Sequence, residues 1–471
     1  MLFLFYTLTY RIMALRVTYR KDSHMSRIAL IGKNTIEYIS LLIDIWNNGD
    51  CVILIDWQTP FHTALNMLKN AGAKACYIQS DLQDKNLNIN DISIEIIPFA
   101  VSGILTSRLP DYIYDKFRTD YSQNEAVIIY SSGTTGKSKG IILSHFAINT
   151  NADAIIEYMH PSATDCIYII KALSHSSTLT GELLVALKVH MRLIITATAV
   201  PPRYVFGIIK QYCVSILCLN PTLLSFLCDE AERKNYKLNS LKIIYVSGAI
   251  LNDKVYEKAH RILIGICIYN VYGLSETAPR ITAQTSECCR TNSVGKPING
   301  VEIAIVNEKG ILVSDGEQGI IHVNTPSLFS GYISETEKRR SLYCGWFNTG
   351  DIGYTDKYEE LHIIGRIDDV INCDAHKVYP SDIEKLIIEN PKITDCAVSK
   401  CVYNGFEMIG CLYVSDSDCI VDIIHRLKKS LMQYEIPKRF VKINSIPHNE
   451  RGKVDRIKVA GILSESENER T

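Results

Sequence analysis

Two short apolar runs, AVIIY (Ala126–Tyr130) and GIILSH (Gly140–His145), enclose the polar stretch YSSGTTGKSKG (Tyr130–Gly140), and this arrangement constrains the fold more than any other feature of the 471 residues. Short runs rich in Ile and Val between turn residues read as buried strands, so the segment is strand, loop, strand. A Walker phosphate loop is disfavoured on two counts. Its pattern needs glycine where Ser131 stands, and it needs a helix after the loop, because the helix N-terminus supplies part of the anion site. The loop still has the Ser, Thr, Gly and Lys content of a phosphate cradle, which calls for some other phosphate chemistry.

Around this segment the chain alternates β-rich runs with helical patterns. RIALIGKN, TIEYISLLIDIWNNG, CVILID, FHTALNMLKNAG and ACYIQ begin the series, and MRLIIT, VFGIIKQYCV, SILCLN, TLLSFLCDEAERKN and LKIIYVSG repeat it. Such alternation predicts mainly parallel sheets with helices on their faces. From about residue 293 the strands become short, Gly-punctuated and closely spaced, predicting a small antiparallel barrel or meander. After HIIGRIDD (His362–Asp369) an α+β stretch with helices in PSDIEKLIIEN and VDIIHRLKKSLMQ has the length of a separate small domain. The expected fold is therefore α/β in a large N-terminal domain, residues 1–365, followed by a small mobile α+β domain, residues 366–471. The tail SESENERT reads as disordered.

With 47% hydrophobic and 21% charged residues and a net charge of −1, the chain lacks the basic excess that nucleic-acid binding requires. Fifteen cysteines, never spaced C-x-x-C, suggest neither a disulfide framework nor a zinc site, and fit a reduced cytoplasm. The apolar N-terminus MLFLFYTLTYRIMALRV is too short to span a bilayer and reads as a surface strand or helix, with membrane contact as the alternative. No membrane span is expected.

The punctuated segments YSSGTTGKSKG, YGLSE (Tyr272–Glu276), GWFNTGDIG (Gly345–Gly353), GRIDDVI (Gly365–Ile371) and ERGKVDR (Glu450–Arg456) occur in an order that resembles the adenylate-forming superfamily of acyl-CoA synthetases, aryl-acid ligases, peptide-synthetase adenylation domains and luciferases. The resemblance implies a ligase that activates a carboxylic acid with MgATP, releases pyrophosphate and passes the acyl group to the thiol of CoA or of a carrier protein's phosphopantetheine. Under it, Ser131, Ser132, Gly133, Thr134, Thr135, Gly136, Lys137 and Lys139 hold the ATP phosphates. Tyr272 lies against the purine, Gly248 and Gly273 border the nucleotide, Ser275 reaches the α-phosphate and Glu276 holds Mg²⁺. Asp351 accepts from the ribose hydroxyls, Arg366 reaches ribose or phosphate, and Lys453 bridges the substrate carboxylate and the α-phosphate, where charge grows in the transition state. His175 forms a wall between the acyl pocket and the phosphates, and Ser247, Val271, Gly273 and Ala278 line the rest. Asp368 is the hinge about which the small domain turns to exchange Lys453 for the 372–377 loop.

Two departures narrow the expectation. Ser176 stands where amino-acid-selecting relatives carry an Asp for the substrate ammonium, and a buried ammonium without a carboxylate is costly. Aryl or fatty acids are therefore expected and α-amino acids disfavoured. Asp374-Ala375 replaces the usual glycines after GRIDDVI; the added charge tilts the acceptor slightly toward an acyl carrier protein over free CoA. A P-loop-like NTPase and a catalytically silent nucleotide-binding protein are the rival readings. The sequence does not name the acid.

Overall fold

The computed structural model describes residues 25–82, 94–101, 106–131, 139–197, 200–234, 236, 238–289, 292–334, 342–343, 345–373, 376–403, 406–417, 419–448 and 453–465. The apolar N-terminal run, most of the phosphate loop, Asp374-Ala375 and the end of the acidic tail lie outside these residues.

Two large sheets form the body. The first has seven strands in the order Gly331–Tyr332, Lys139–Ser144, Glu125–Ser131, Cys51–Ile55, Arg27–Ile31, Ala75–Gln79, Glu95–Phe99. Its central strands pair in parallel and are apolar throughout, as in CVILI, whose five residues are all buried; strands covered on both faces need no polar alternation. The two strands around the phosphate loop pair antiparallel, Ser131 opposite Lys139, so the strand, loop, strand reading holds. The second strand is shifted by one residue from the expected Gly140–His145, running Lys139–Ser144. Ser144 accepts a hydrogen bond from the Ala147 amide at 3.1 Å and caps the helix His145–Met159, so that His145 opens a helix rather than ending a strand.

The second sheet has eight strands in the order Lys296–Pro297, Arg280–Ala283, Cys267–Gly273, Ile243–Val246, Ile216–Leu219, Cys166–Ile169, Arg192–Thr196, Thr106–Arg108. The five strands from Cys267–Gly273 to Arg192–Thr196 are parallel. The core between the two sheets includes Ile129, Ile155, Leu179, Leu183, Tyr245, Val271 and Ala278. A third, antiparallel sheet follows, built on Glu302–Val306, Gly319–Asn324, Trp346–Thr355 and Leu361–Arg366.

Beyond the short turn Ile367–Asp369, strands Ile393–Tyr403, Phe406–Ser415 and Arg439–Lys442 form a sheet of their own. Side chains alternate across it. Val398 and Cys411 face helices Pro380–Ile388 and Ile420–Ser430, while Ala397 and Leu412 face helix Arg456–Ser464. This unit touches the body through Lys385 Nζ to Asp253 Oδ2 at 3.0 Å and Lys254 Nζ to the Asn390 carbonyl at 2.9 Å. Among the described residues no helix is long and apolar enough to cross a membrane.

Candidate active site

The strand register of the third sheet makes its first pair. Asp351 and Arg366 face each other on antiparallel strands, and Arg366 Nη1 donates to Asp351 Oδ1 at 2.9 Å, an opposite-charge cross-strand pair. Gly350, at φ +70°, turns the strand just before it; a Cβ there would meet Arg366 Nη2 at 2.9 Å. From the second sheet, Tyr272 Oη donates to Asp351 Oδ2 at 2.5 Å. Asp351 is only 5% exposed. Burial pushes its carboxyl up, and the Arg366 guanidinium, the Tyr272 hydroxyl and the Lys453 ammonium pull against that rise. A carboxylate offers about four lone-pair sites, so these contacts leave capacity for ribose hydroxyls.

Lys453 is exposed, and its charge acts on Asp351. Arg456, three residues on, holds that loop. Its Nη1 donates to Glu384 Oε1 at 2.7 Å and to the Val398 carbonyl at 2.6 Å, its Nη2 reaches Glu384 Oε2 at 3.2 Å, and its Nε lies 3.4 Å from Asp369 Oδ2. The neighbouring Asp368 is exposed in the same turn.

Glu276 occupies the tight turn Ser275–Thr277 after strand Cys267–Gly273. Gly273 opens that turn because the Pro279 carbonyl folds back to bond the Leu274 amide at 2.9 Å, and a Cβ on residue 273 would lie 2.0 Å from that oxygen. Tyr332 Oη donates to Glu276 Oε1 at 3.0 Å, and Lys139 Nζ stands 5.6 Å from the centre of the Tyr332 ring. The exit of the phosphate loop and the acidic turn therefore meet at one tyrosine. A carboxylate with one side-chain hydrogen bond among the described residues, beside a strand end that carries lysine, suits a hard cation. Ser132, Gly133, Thr134, Thr135, Gly136 and Lys137 lie outside the described residues.

His175, half-buried, precedes the helical run that starts at Ser176; its carbonyl accepts from the Thr178 and Leu179 amides at 3.0 and 2.8 Å. Ser176 Oγ donates to Ser275 Oγ at 3.2 Å, joining this run to the acidic turn. Ser247 follows strand Ile243–Val246, which runs parallel to Cys267–Gly273 with Val246 opposite Asn270, so Ser247 and Val271 stand side by side at the carboxyl ends of the strands. That is where open α/β sheets bind ligands. Val271 and Ala278 are buried, and Gly248 is exposed at φ +95°.

Three features were not anticipated from the sequence. Tyr332 lies 56 residues from Glu276 with no local spacing to announce it. Arg456 was legible only as part of ERGKVDR, its partners being set by the tertiary fold. A buried charged group, Lys171, Glu182 and Arg280, sits beside the expected acyl walls: Lys171 Nζ is 3.0 Å from Glu182 Oε1, and Glu182 and Arg280 are 1% and 4% exposed.

Parallel strands ending on a glycine turn and an acidic turn, a buried Asp–Arg–Tyr group and a lysine brought from a small C-terminal unit are the parts of an enzyme that handles a nucleotide. The chain belongs to the family described as AMP-binding enzyme, whose sequence profile matches residues 20–333. It is 27% identical to an indoleacetate–CoA ligase of Aromatoleum aromaticum over 94% of this chain and 89% of that protein. The fold matches ATP-bound MatB from Rhodopseudomonas palustris with a TM-score of 0.84 at 21% identity, covering 94% of this chain and 89% of that one. It also matches the O-succinylbenzoate coenzyme A synthetase of Bacillus subtilis in complex with ATP and magnesium ion, with a TM-score of 0.79 at 22% identity, covering 93% and 90%.

Proposed function

We propose that this chain activates an aryl acid and transfers it to free CoA. The underlying chemistry is that of an acid–thiol ligase: ATP and a carboxylic acid give an acyl-adenylate and pyrophosphate, and a thiol then displaces AMP. The observation that carries the reading is that Tyr272 and Arg366 both bond the buried Asp351, on which the charge of Lys453, from a third part of the chain, also acts.

In this reading Tyr272 backs the adenine and Asp351 fixes the ribose, with Arg366 holding the carboxylate in place. A carboxylate oxygen of the acid attacks the α-phosphorus, the bond to the pyrophosphate oxygen breaks, and the charge that develops meets the Lys453 ammonium, a preorganised donor. Lys139 and the 131–139 loop position the departing phosphates. Glu276 would hold Mg²⁺, which neutralises phosphate charge when bound. For the second half-reaction the small domain, residues 366–471, turns about Asp368 and withdraws Lys453. We place the work in the cytoplasm, on the cysteine usage.

Support for an aryl acid comes from the indoleacetate and succinylbenzoate ligases among the relatives and from the uncharged residues Ser176, Ser247, Val271, Gly273 and Ala278. Their names also favour CoA. The tilt toward a carrier protein rested on Asp374, outside the described residues, and gives way to them. Pyrophosphate release across a panel of aryl, fatty and α-amino acids, with CoA or a pantetheinylated carrier protein as acceptor, tests both halves. Aryl acids with CoA should turn over; robust turnover of α-amino acids, or acyl transfer only to the carrier, would displace the proposal.

A further inference from the structure

The backbone at Glu276 is held from two directions. Its carbonyl accepts from the Phe329 amide at 2.8 Å. The next residue, Thr277, is fully buried, with its Oγ1 donating to the Pro279 carbonyl at 2.8 Å and its own carbonyl accepting from Asn151 Nδ2 at 3.3 Å. The freedom that remains is that of the Glu276 side chain. Among the described residues only the Tyr332 hydroxyl bonds its carboxylate, at Oε1, so Oε2 is the oxygen left without a partner there.

Tyr332 is itself fixed in place. Gly331 and Tyr332 pair antiparallel with Ile142 and Ile141, and the amides of Ser330 and Ile333 donate to the carbonyls of Ile142 and Gly140, both at 2.8 Å. The close approach depends on glycine at 140, where a Cβ would lie 2.6 Å from Ile333 Cγ1. The Phe329 ring meets the tyrosine ring edge to face, with centroids 4.7 Å apart. A tyrosine that is only 9% exposed needs a partner for its hydroxyl, and this one takes it from the acidic turn. The strand it pairs with is the one that leaves the phosphate loop through Lys139, so a single strand pairing sets both the lysine and the carboxylate.

A carboxylate pinned by one oxygen discriminates between hard cations. Mg²⁺ is small, demands near-ideal octahedral geometry and keeps several waters, whereas Ca²⁺ takes roughly six to eight oxygens and often both of one carboxylate. We propose that Tyr332 is a selectivity residue: by holding Oε1 it restricts Glu276 to coordination through one oxygen, and so makes the site prefer Mg²⁺ to Ca²⁺. The inference rests on the reading of Glu276 as the Mg²⁺ ligand and adds what makes that ligand selective.

The test measures calorimetric binding of the non-cleavable analogue α,β-methylene-ATP to the full chain, with Mg²⁺ or Ca²⁺ saturating the nucleotide. Wild type should bind the Mg²⁺ complex about tenfold or more tighter than the Ca²⁺ complex, the scale for a hydrogen bond to a charged group. Tyr332→Phe, which removes only the hydroxyl, should bring that ratio down to about threefold or less. A merely structural tyrosine would weaken both complexes alike and leave the ratio where it was. Glu276→Gln should bring the ratio down as far, and adding Tyr332→Phe to it should change nothing further, because the two residues act as one unit. Ca²⁺ bound as tightly as Mg²⁺ by wild type overturns the selection whatever the variants do. A ratio unchanged in Tyr332→Phe but lost in Glu276→Gln overturns the role of Tyr332 and leaves Glu276 standing as the metal ligand. A ratio kept in Glu276→Gln overturns both, while acid activation stands or falls on pyrophosphate release.

Discussion

At the scale of single residues, the site depends on groups whose chemistry was readable and whose company was not. Lys453 among ordinary exposed lysines is marked by ERGKVDR; that its charge acts on Asp351 is a matter of tertiary placement. Lys453→Ala should lower adenylate formation by about a hundredfold, the scale for losing one preorganised transition-state donor, while a non-hydrolysable acyl-adenylate mimic binds nearly as before. Stopped-time assays of adenylate and titration of the mimic separate the two effects; near-normal adenylation would remove Lys453 from the chemistry. Glu276→Gln keeps the Tyr332 hydrogen bond feasible but removes a charged oxygen ligand, so the Mg²⁺ concentration for half-maximal rate should rise severalfold or more. An unchanged Mg²⁺ titration would leave Glu276 a structural role only.

At the scale of elements, strand and helix positions followed from pattern, because fully apolar runs such as CVILI and amphipathic stretches such as PSDIEKLIIEN carry their periodicity locally. Side-chain partnerships did not, since they depend on register: Asp351 meets Arg366 because two strands pair with those residues opposite. The same holds for Arg456, whose bonds to Glu384 and Val398 and its approach to Asp369 tie the segment after Lys453 to the turn Ile367–Asp369. Lysine cannot reproduce that fork. Arg456→Lys should therefore slow adenylation by about tenfold through misplacement, with thioester formation from preformed adenylate within about twofold, a split that a general loss of stability would not give. A second element prediction concerns the start of strand Cys166–Ile169. Burial pushes the Asp165 carboxyl up, but hydrogen bonds from Lys242, Ser162 and Ser215 outweigh it and hold it at about 2, below the usual ~3.9 of an unfolded chain. The stabilisation is therefore present above pH ~4 and lost as pH falls toward ~2. Allowing for solvent screening, it amounts to about 1 kcal/mol. Denaturant unfolding should show Asp165→Asn less stable than wild type at pH 5, with the gap closing near pH 2.5.

At the scale of the whole molecule, a body of two large sheets carries Tyr272 and Glu276, and a C-terminal unit with its own three-stranded sheet carries Lys453. The expectation of a small C-terminal unit came from the length and the α+β pattern of the chain after HIIGRIDD. The contacts that dock one part on the other, Lys385 with Asp253 and Lys254 with Asn390, carry no sequence signal because exposed charges are common everywhere. The Lys385–Asp253 pair is exposed and worth under about 1 kcal/mol. Asp253→Ala should thus lower adenylation by less than about fivefold and leave thioester formation unchanged; a loss of both half-reactions together would mean the contact supports the fold rather than one docked pose. The central claim, that the acid's own oxygen attacks the α-phosphorus of ATP, is tested most directly by supplying a turned-over acid with heavy-oxygen-labelled carboxylate, together with ATP, Mg²⁺ and CoA, and weighing the nucleotide product. The account predicts AMP carrying one heavy oxygen, with pyrophosphate unlabelled; unlabelled AMP, or ADP with inorganic phosphate formed whether or not the acid is present, would contradict it.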